Sequence, residues 1–284
     1  MRLQAQAPVR AWIEYFRDLG IHDFYRLGEP AEVIAREPSA GSAMETAPEA
    51  TGAPFADEAH STQPIPETTS VPTVNLISLN DLAPLPESTV PADRREAALH
   101  EIQQEIGDCT RCPLAYAGRR KIVFGDGSPT ARLMFVGEGP GADEDAQGLP
   151  FVGKAGQLLN NMIGAMGLAR TDVYIANIVK CRPPGNRVPE PVEANTCSQF
   201  LLRQIDVVQP EVIVALGSTA ATYLLGVKQS LSSLRGRWHR CRGAKLAVTY
   251  HPAFLLRDPR QKAEAWKDLQ MVMHELGITP PARK

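Results

Sequence analysis

The sequence predicts an α/β domain: a parallel sheet of four strands covered on both faces by helices and preceded by an acidic linker. Two patterns lead to that reading. Four apolar runs, each the length of a buried strand, alternate with stretches of helical periodicity, which is the order of βαβ units. The charge is also divided. Of 30 basic and 32 acidic side chains in 284 residues, residues 30–92 hold one and nine, and residues 93–284 hold 25 and 19. A total of −2 thus conceals a linker at −8 and a domain at +6, an asymmetry that points to an anionic partner for the domain.

Residues 1–29 come first. Between Val9 and Leu27, the side chains Trp12, Ile13, Phe16, Leu19 and Phe24 share one face of a short helix interrupted at Gly20. That helix reads equally as a partner-binding tag or as a helix packed on its own domain. Residues 30–92 are rich in Pro, Ala, Ser, Thr and Glu, with Phe55 the only aromatic residue. So little apolar surface cannot offset the entropy of ordering the chain, and the stretch reads as a disordered linker. Its short run from Leu76 to Leu82 reads as a residual apolar patch, with docking as the alternative.

The domain spans 93–284, about 190 residues, enough for one sheet-centred core. It opens with a helix from Glu96 to Ile106, then a strand from Ala131 to Glu138 and a helix from Gly156 to Met166. A second strand runs from Val173 to Val179, a helix from Val192 to Val208, and a third strand from Val212 to Gly217. A short helix from Thr219 to Leu225, a fourth strand from Leu246 to Tyr250 and a closing helix from Lys262 to Leu276 complete it.

No apolar run approaches the roughly 20 residues of a membrane span, and the start MRLQAQAPVRAW has no secretory h-region, so the expected location is the cytoplasm. In a reducing compartment, five cysteines make a poor disulfide framework and a better metal-ligand set. Cys109 and Cys112 form C-x2-C, and fifteen residues separate Cys181 from Cys197. Four thiolates suit zinc or an iron–sulfur cluster, while ordinary buried thiols at 181 and 197 are the alternative. Cys241 has no cysteine near it and reads as a spare.

Ligands of open parallel sheets bind beyond the carboxyl ends of the strands, and the unusual residues gather there. Strand one runs into Gly137 to Asp145, strand two carries Asn177, and strand four runs into His251 to Arg257. GEGPG is not a dinucleotide fingerprint, because Pro140 and the acidic run from Asp143 to Asp145 oppose a pyrophosphate. GLPFVGKA has phosphate-loop spacing but ends in Ala155 where magnesium needs a hydroxyl.

GEGPGADED with LPFVGKAGQLL, then NIVKCRPPGNRVP, then HPAFLLR, in this order and with this cysteine spacing, resemble the family 4 uracil-DNA glycosylases. These are the bacterial and archaeal type with a 4Fe–4S cluster, and the resemblance covers about residues 100–277. It implies a three-layer α/β/α fold with a four-stranded parallel sheet, acting as a monomer in DNA repair. It places Cys109, Cys112, Cys181 and Cys197 as ligands of a structural cluster. Phe151 matches the aromatic that stacks on an extruded base, and Asn177 matches the side chain that pairs with uracil N3–H and O4. His251 matches the histidine that hydrogen-bonds uracil O2 as charge develops there.

The better-known uracil glycosylases carry an aspartate where this chain has Gly139, so Glu138 is the expected group that orients water and faces the sugar cation, with Asn186 as helper. Glu144 is expected near uracil C5, where it excludes a methyl group, Leu255 as a wedge into the vacated stack, and Arg257 on a phosphate. The basic run Lys228, Arg235, Arg237, Arg240, Arg242 and Lys245, with Trp238 and His239 inside it, reads as a backbone-binding loop or a solvated hairpin. The partner is uracil-containing DNA, and the N-terminal segment is a candidate contact for a repair or replication protein.

Two alternatives remain at this stage. A superfamily member that stays covalently attached to uracil-DNA carries a basic insertion after strand two, for which CRPPGNRVPEP leaves little room. The other is a metal-stapled DNA-binding module without catalysis.

Overall fold

The structure, a computed structural model, describes residues 77–279. The expected N-terminal helical segment and the linker up to residue 76 lie outside the described residues. The described chain begins with the single turn α1 (Leu79–Leu82) and α2 (Arg95–Ile106), followed by β1 (Asp126–Gly127) and β2 (Leu133–Gly137). Then come α3 (Ala142–Gln147), α4 (Lys154–Ala165), β3 (Tyr174–Asn177), α5 (Pro191–Val208) and β4 (Val212–Leu216). The remainder is α6 (Ser218–Leu225), α7 (Leu231–Leu234), β5 (His239–Cys241), β6 (Ala244–Thr249), α8 (Pro252–Arg257) and α9 (Lys262–Leu276). Among the described residues no helix is long and apolar enough to cross a membrane.

The sheet order is β1-β3-β2-β4-β6-β5. Its four inner strands are parallel, in register from Gly137 opposite Asn177 to Leu216 opposite Thr249, as expected. The strand count is corrected from four to six, because β1 and β5 add antiparallel edges. Neither is visible in periodicity: β1 has two residues, and β5 lies within the polar basic run. β5 turns back to β6 through Arg242 and Gly243, both at positive φ, a two-residue hairpin turn.

The strands read as continuous apolar runs because each face of the sheet is covered. Met134, Val136, Ile213 and Ala215 point to the face packed by α2, α5 and α6. Their neighbours Leu133, Phe135, Val212 and Val214 point to the face packed by α4 and α9. This alternation makes three layers.

The linker also needs correction near its end. Leu79 is fully buried, and Ser78 caps the turn by accepting from the Asn80 amide at 3.1 Å. A Cβ on Gly226 would lie 2.7 Å from the Ser78 Cβ, so the strap crosses where only glycine leaves room. The Arg242 guanidinium holds the strap from the other side. It donates to the carbonyls of Ala83 and Pro84 and to both Asp206 oxygens. Of the two readings of the run from Leu76 to Leu82, docking is therefore the one that holds for Leu79, and its receiving surface is formed by distant parts of the chain.

Candidate active site

β2 has β3 on one side and β4 on the other, so the strand order reverses there, and a cleft of about 790 Å³ opens beyond the carboxyl ends of the four parallel strands. Glu138, Gly139, Glu144, Phe151, Asn177, Asn186, His251 and Arg257 all line it, so residues spread over more than a hundred positions meet in one place. Leu255 does not.

Asn177 ends β3, is 1% exposed, and among the described residues its amide oxygen has no hydrogen-bond partner. Leaving a buried polar group unpaired costs about 1–3 kcal/mol, so the position suits a donor that arrives with a ligand. Gly137 makes room for it. A Cβ there would lie 2.6 Å from the Phe151 ring and closer still to the Asn177 oxygen. The Phe151 ring therefore lies over the end of β2, with the His251 ring 5.6 Å away, centroid to centroid.

His251 is the N-cap of α8. Its Nδ1 accepts from the Ala253 amide at 3.1 Å, which leaves the ring proton on Nε2. Burial pushes the imidazole down from 6.5 to about 4; the Arg257 cation acts in the same direction and Glu144 opposes it. At neutral pH the ring is uncharged and offers Nε2–H as a donor.

Glu138 follows β2, half-buried, and among the described residues its carboxylate makes no hydrogen bond or ion pair. Its charge reaches Tyr223, whose phenol is pushed up first by burial and then by Glu193 and Glu138. Gly139 is tightly packed: a Cβ there would lie 2.8 Å from Val179 Cγ2, so an aspartate needs that side chain to move. Asn186 sits exposed at φ 56°, its oxygen accepting from Arg182 Nε at 2.8 Å, which leaves its amide hydrogens free. Glu144 serves as a brace. Its carboxylate accepts from the amides of Gly141, Val152 and Gly153 at 3.0, 2.9 and 3.1 Å and ties together the two loops that wall the cleft.

Three expectations change, the first being Glu144, whose carboxylate is taken up by three backbone amides instead of being free to face a base. Leu255 is 1% exposed and packs inward, while Leu256 on the outer side of α8 is 44% exposed. The step of about 100° between adjacent helical positions turns one leucine inward and the other out, and the sequence pattern does not say which. The basic run is also largely committed to the fold. Arg235 pairs with Asp268 at 2.7 Å and lies 4.1 Å over the Tyr250 ring, Arg242 pairs with Asp206, and Lys245 pairs with Glu275. None of the six basic residues lines the cleft; the cations that do are Lys154, Arg187 and Arg257.

Cys109, Cys112, Cys181 and Cys197 line one small cavity together with Arg111, Arg119 and Lys180. N–H groups point at three of the sulfurs: Arg111 at Cys109 (3.7 Å), Arg119 at Cys181 (3.4 Å) and the Lys180 amide at Cys197 (3.2 Å). Such donors, with cations around them, suit thiolates bound to a metal centre. Without one, burial pushes the Cys112 and Cys181 thiols up, and Cys197 up to about 12. Among the described residues, no three ligand-type side chains are close enough to hold a single metal ion. By donor type, four thiolates on one cavity suit zinc or an iron–sulfur cluster alike. Cys241 is buried apart from them, its thiol against the Leu224 carbonyl.

Sequence reasoning missed Arg170, Lys180 and Lys154. Lys180 is buried, donating to the Asn177 carbonyl at 3.0 Å and to Gln204 at 2.6 Å, so it stands between the end of β3 and the cysteine cavity. Only the adjacency of Lys180 to Cys181 hinted at this.

The sheet thus brings the Asn177 amide oxygen, the Phe151 ring and the neutral His251 ring together at its switch point. The family model described as the uracil DNA glycosylase superfamily matches residues 124–270. The type-4 uracil-DNA glycosylase of Thermotoga maritima is 46% identical over 168 residues, 58% of this chain and 86% of the relative. Those of Pyrobaculum aerophilum and Archaeoglobus fulgidus are 41% and 39% identical, over 92% and 96% of their own lengths. The chain belongs to the uracil DNA glycosylase superfamily, in its type-4 branch.

Proposed function

We propose that the protein is a DNA-repair hydrolase that cleaves the N-glycosidic bond of deoxyuridine in DNA, releasing uracil and leaving an abasic site. The observation that carries this is the grouping of the unpaired Asn177 oxygen and the neutral His251 ring around Phe151. An extruded uracil stacks on Phe151, donates N3–H to Asn177 Oδ1, and accepts at O4 from the same amide's nitrogen. Cytosine presents the reversed pattern and leaves two buried groups opposed.

As the bond between C1′ and N1 breaks, its electron pair leaves on uracil, and the charge at O2 is met by His251 Nε2–H. The oxygen of a water bonds to C1′, and the proton it sheds passes to Glu138 and then to solvent. Glu138 also faces the positive charge that builds on the sugar, and Asn186 turns an amide hydrogen toward the same water. Glu144 acts at one remove, by holding the loops to which Phe151 belongs. Leu256 takes the wedge position first assigned to Leu255, and Lys154 and Arg257 meet phosphates. Cys109, Cys112, Cys181 and Cys197 would hold a 4Fe–4S cluster, which when bound supplies a structural cross-link among α2, α5 and the β3 end. The reading places the protein in the cytoplasm as a monomer.

The test is incubation of the purified protein with an oligonucleotide carrying one uracil, followed by alkali. Strand scission with uracil and none with thymine or cytosine supports the proposal. A heat-stable adduct means trapping, and neither product means a binding module. Glu138→Gln should lower the single-turnover rate by roughly 10²-fold or more while DNA binding persists.

A further inference from the structure

Phe151 adopts φ 52°, a left-handed conformation that an aromatic residue holds only when its surroundings enforce it. One side chain outside the cleft does so. Arg170, in the turn before β3, donates from Nη2 to the Pro150 carbonyl at 2.6 Å and from Nη1 to the Phe151 carbonyl at 3.2 Å. The same Nη1 donates to Asn160 Oδ1 at 3.1 Å, and Nε to Asp126 Oδ2 at 3.0 Å. Both carbonyls of the dipeptide that carries the ring are thus bound by a single guanidinium. Asp126 and Asn160 fix the plane of that guanidinium from β1 and α4. The packing is tight as well, since a Cβ on Gly156 would overlap the Phe151 carbonyl. The two-residue edge strand acquires a purpose here: its pairing with β3 delivers the carboxylate that orients Arg170.

We propose that Arg170 is a positioning residue for base recognition. Its fork holds Phe151 in the turn that lays the ring in the cleft, so Arg170 sets the affinity of the pocket for uracil without touching DNA. Lysine cannot replace it, because a point ammonium cannot bind two carbonyls, an amide and a carboxylate in one plane. The inference rests on the reading that Phe151 stacks on the extruded base.

The experiment is a double-mutant cycle of wild type, Arg170→Gln, Phe151→Ala and the double variant. It is read by inhibition with free uracil, by single-turnover cleavage, and by binding to abasic-site DNA. A ring displaced by about 1 Å can cost on the order of 10²-fold. Arg170→Gln should therefore weaken uracil inhibition and slow cleavage by roughly 10- to 100-fold, with abasic-site binding unchanged. In the Phe151→Ala background the same substitution should cost almost nothing further. Equal losses in both backgrounds, or a lowered melting temperature with uracil inhibition unchanged, would overturn the proposal. Arg170→Lys and Asp126→Asn carry the cycle if the glutamine variant does not fold. They should show the same loss of coupling, Asp126→Asn more weakly, and additivity in either refutes the role. Wild-type protein that releases no uracil overturns the glycosylase reading and this inference with it, whereas active wild type with an additive cycle overturns this inference alone.

Discussion

The half-buried, uncharged His251 makes the stability of this protein depend on pH in a window that the carboxylates alone would not produce. Its imidazole is pushed down from 6.5 to about 4, first by burial and then by Arg257, against Glu144. In the unfolded chain it titrates at its ordinary value, so between about pH 6.5 and 4 the unfolded state binds more protons than the folded one. Stability from this group is complete above pH 6.5 and falls as the pH drops toward 4. At about 1.4 kcal/mol for each tenfold change, the full loss is about 3 kcal/mol, an upper bound for a ring partly open to the cleft. Glu193, whose carboxyl is held low chiefly by Arg187, is also lost on acidification. His251 therefore has to be isolated by difference. His251→Asn keeps an N-cap able to accept from the Ala253 amide but does not titrate. Urea unfolding of both proteins at pH 7.5, 6, 5 and 4.5 should give a gap that narrows by about 2–3 kcal/mol toward the acid end. NMR of the ring nitrogens should show His251 neutral, with the proton on Nε2, down to about pH 5. A gap independent of pH, or a ring that protonates near 6.5, would refute both the burial argument and the neutral donor assigned to uracil O2.

Three further outcomes are expected. Leu256→Ala should change stability by less than about 0.5 kcal/mol and slow uracil release from duplex more than from single-stranded DNA, while Leu255→Ala should cost about 2–5 kcal/mol in chemical denaturation. The reverse assignment would return the wedge to Leu255. Cys197→Ser should lower iron content and visible absorbance together with folded yield, measured by metal analysis and absorption spectra; full iron content would remove Cys197 from the ligand set. A chain starting at residue 77 should melt like the whole protein. One starting at residue 93 should lose about 2–5 kcal/mol with the burial of Leu79, and equal melting of the two would show that the strap contributes nothing.

Much of this protein was determined by sequence alone, where chemistry is local. Continuous apolar strands mark a sheet buried on both faces, and each of the four inner strands stands where its run predicts. Gly137, Glu138, Asn177 and His251 lie at strand ends, so predicting the strands also places them near one another. The cysteine spacing needed only the fold to bring its two halves to one cavity. Tertiary structure decided what depends on direction and on distant partners. Leu255 and Leu256 are chemically identical neighbours, and only the packing of α8 says which faces out. The basic run looks like one patch in sequence, but Asp206, Asp268 and Glu275 claim three of its six charges from elsewhere in the chain. Arg170 has no motif, and its importance lies wholly in four acceptors spread from residue 126 to residue 160. A periodic pattern records which face of an element is buried, whereas a hydrogen bond between residues far apart in the chain exists only once the sheet has brought them together.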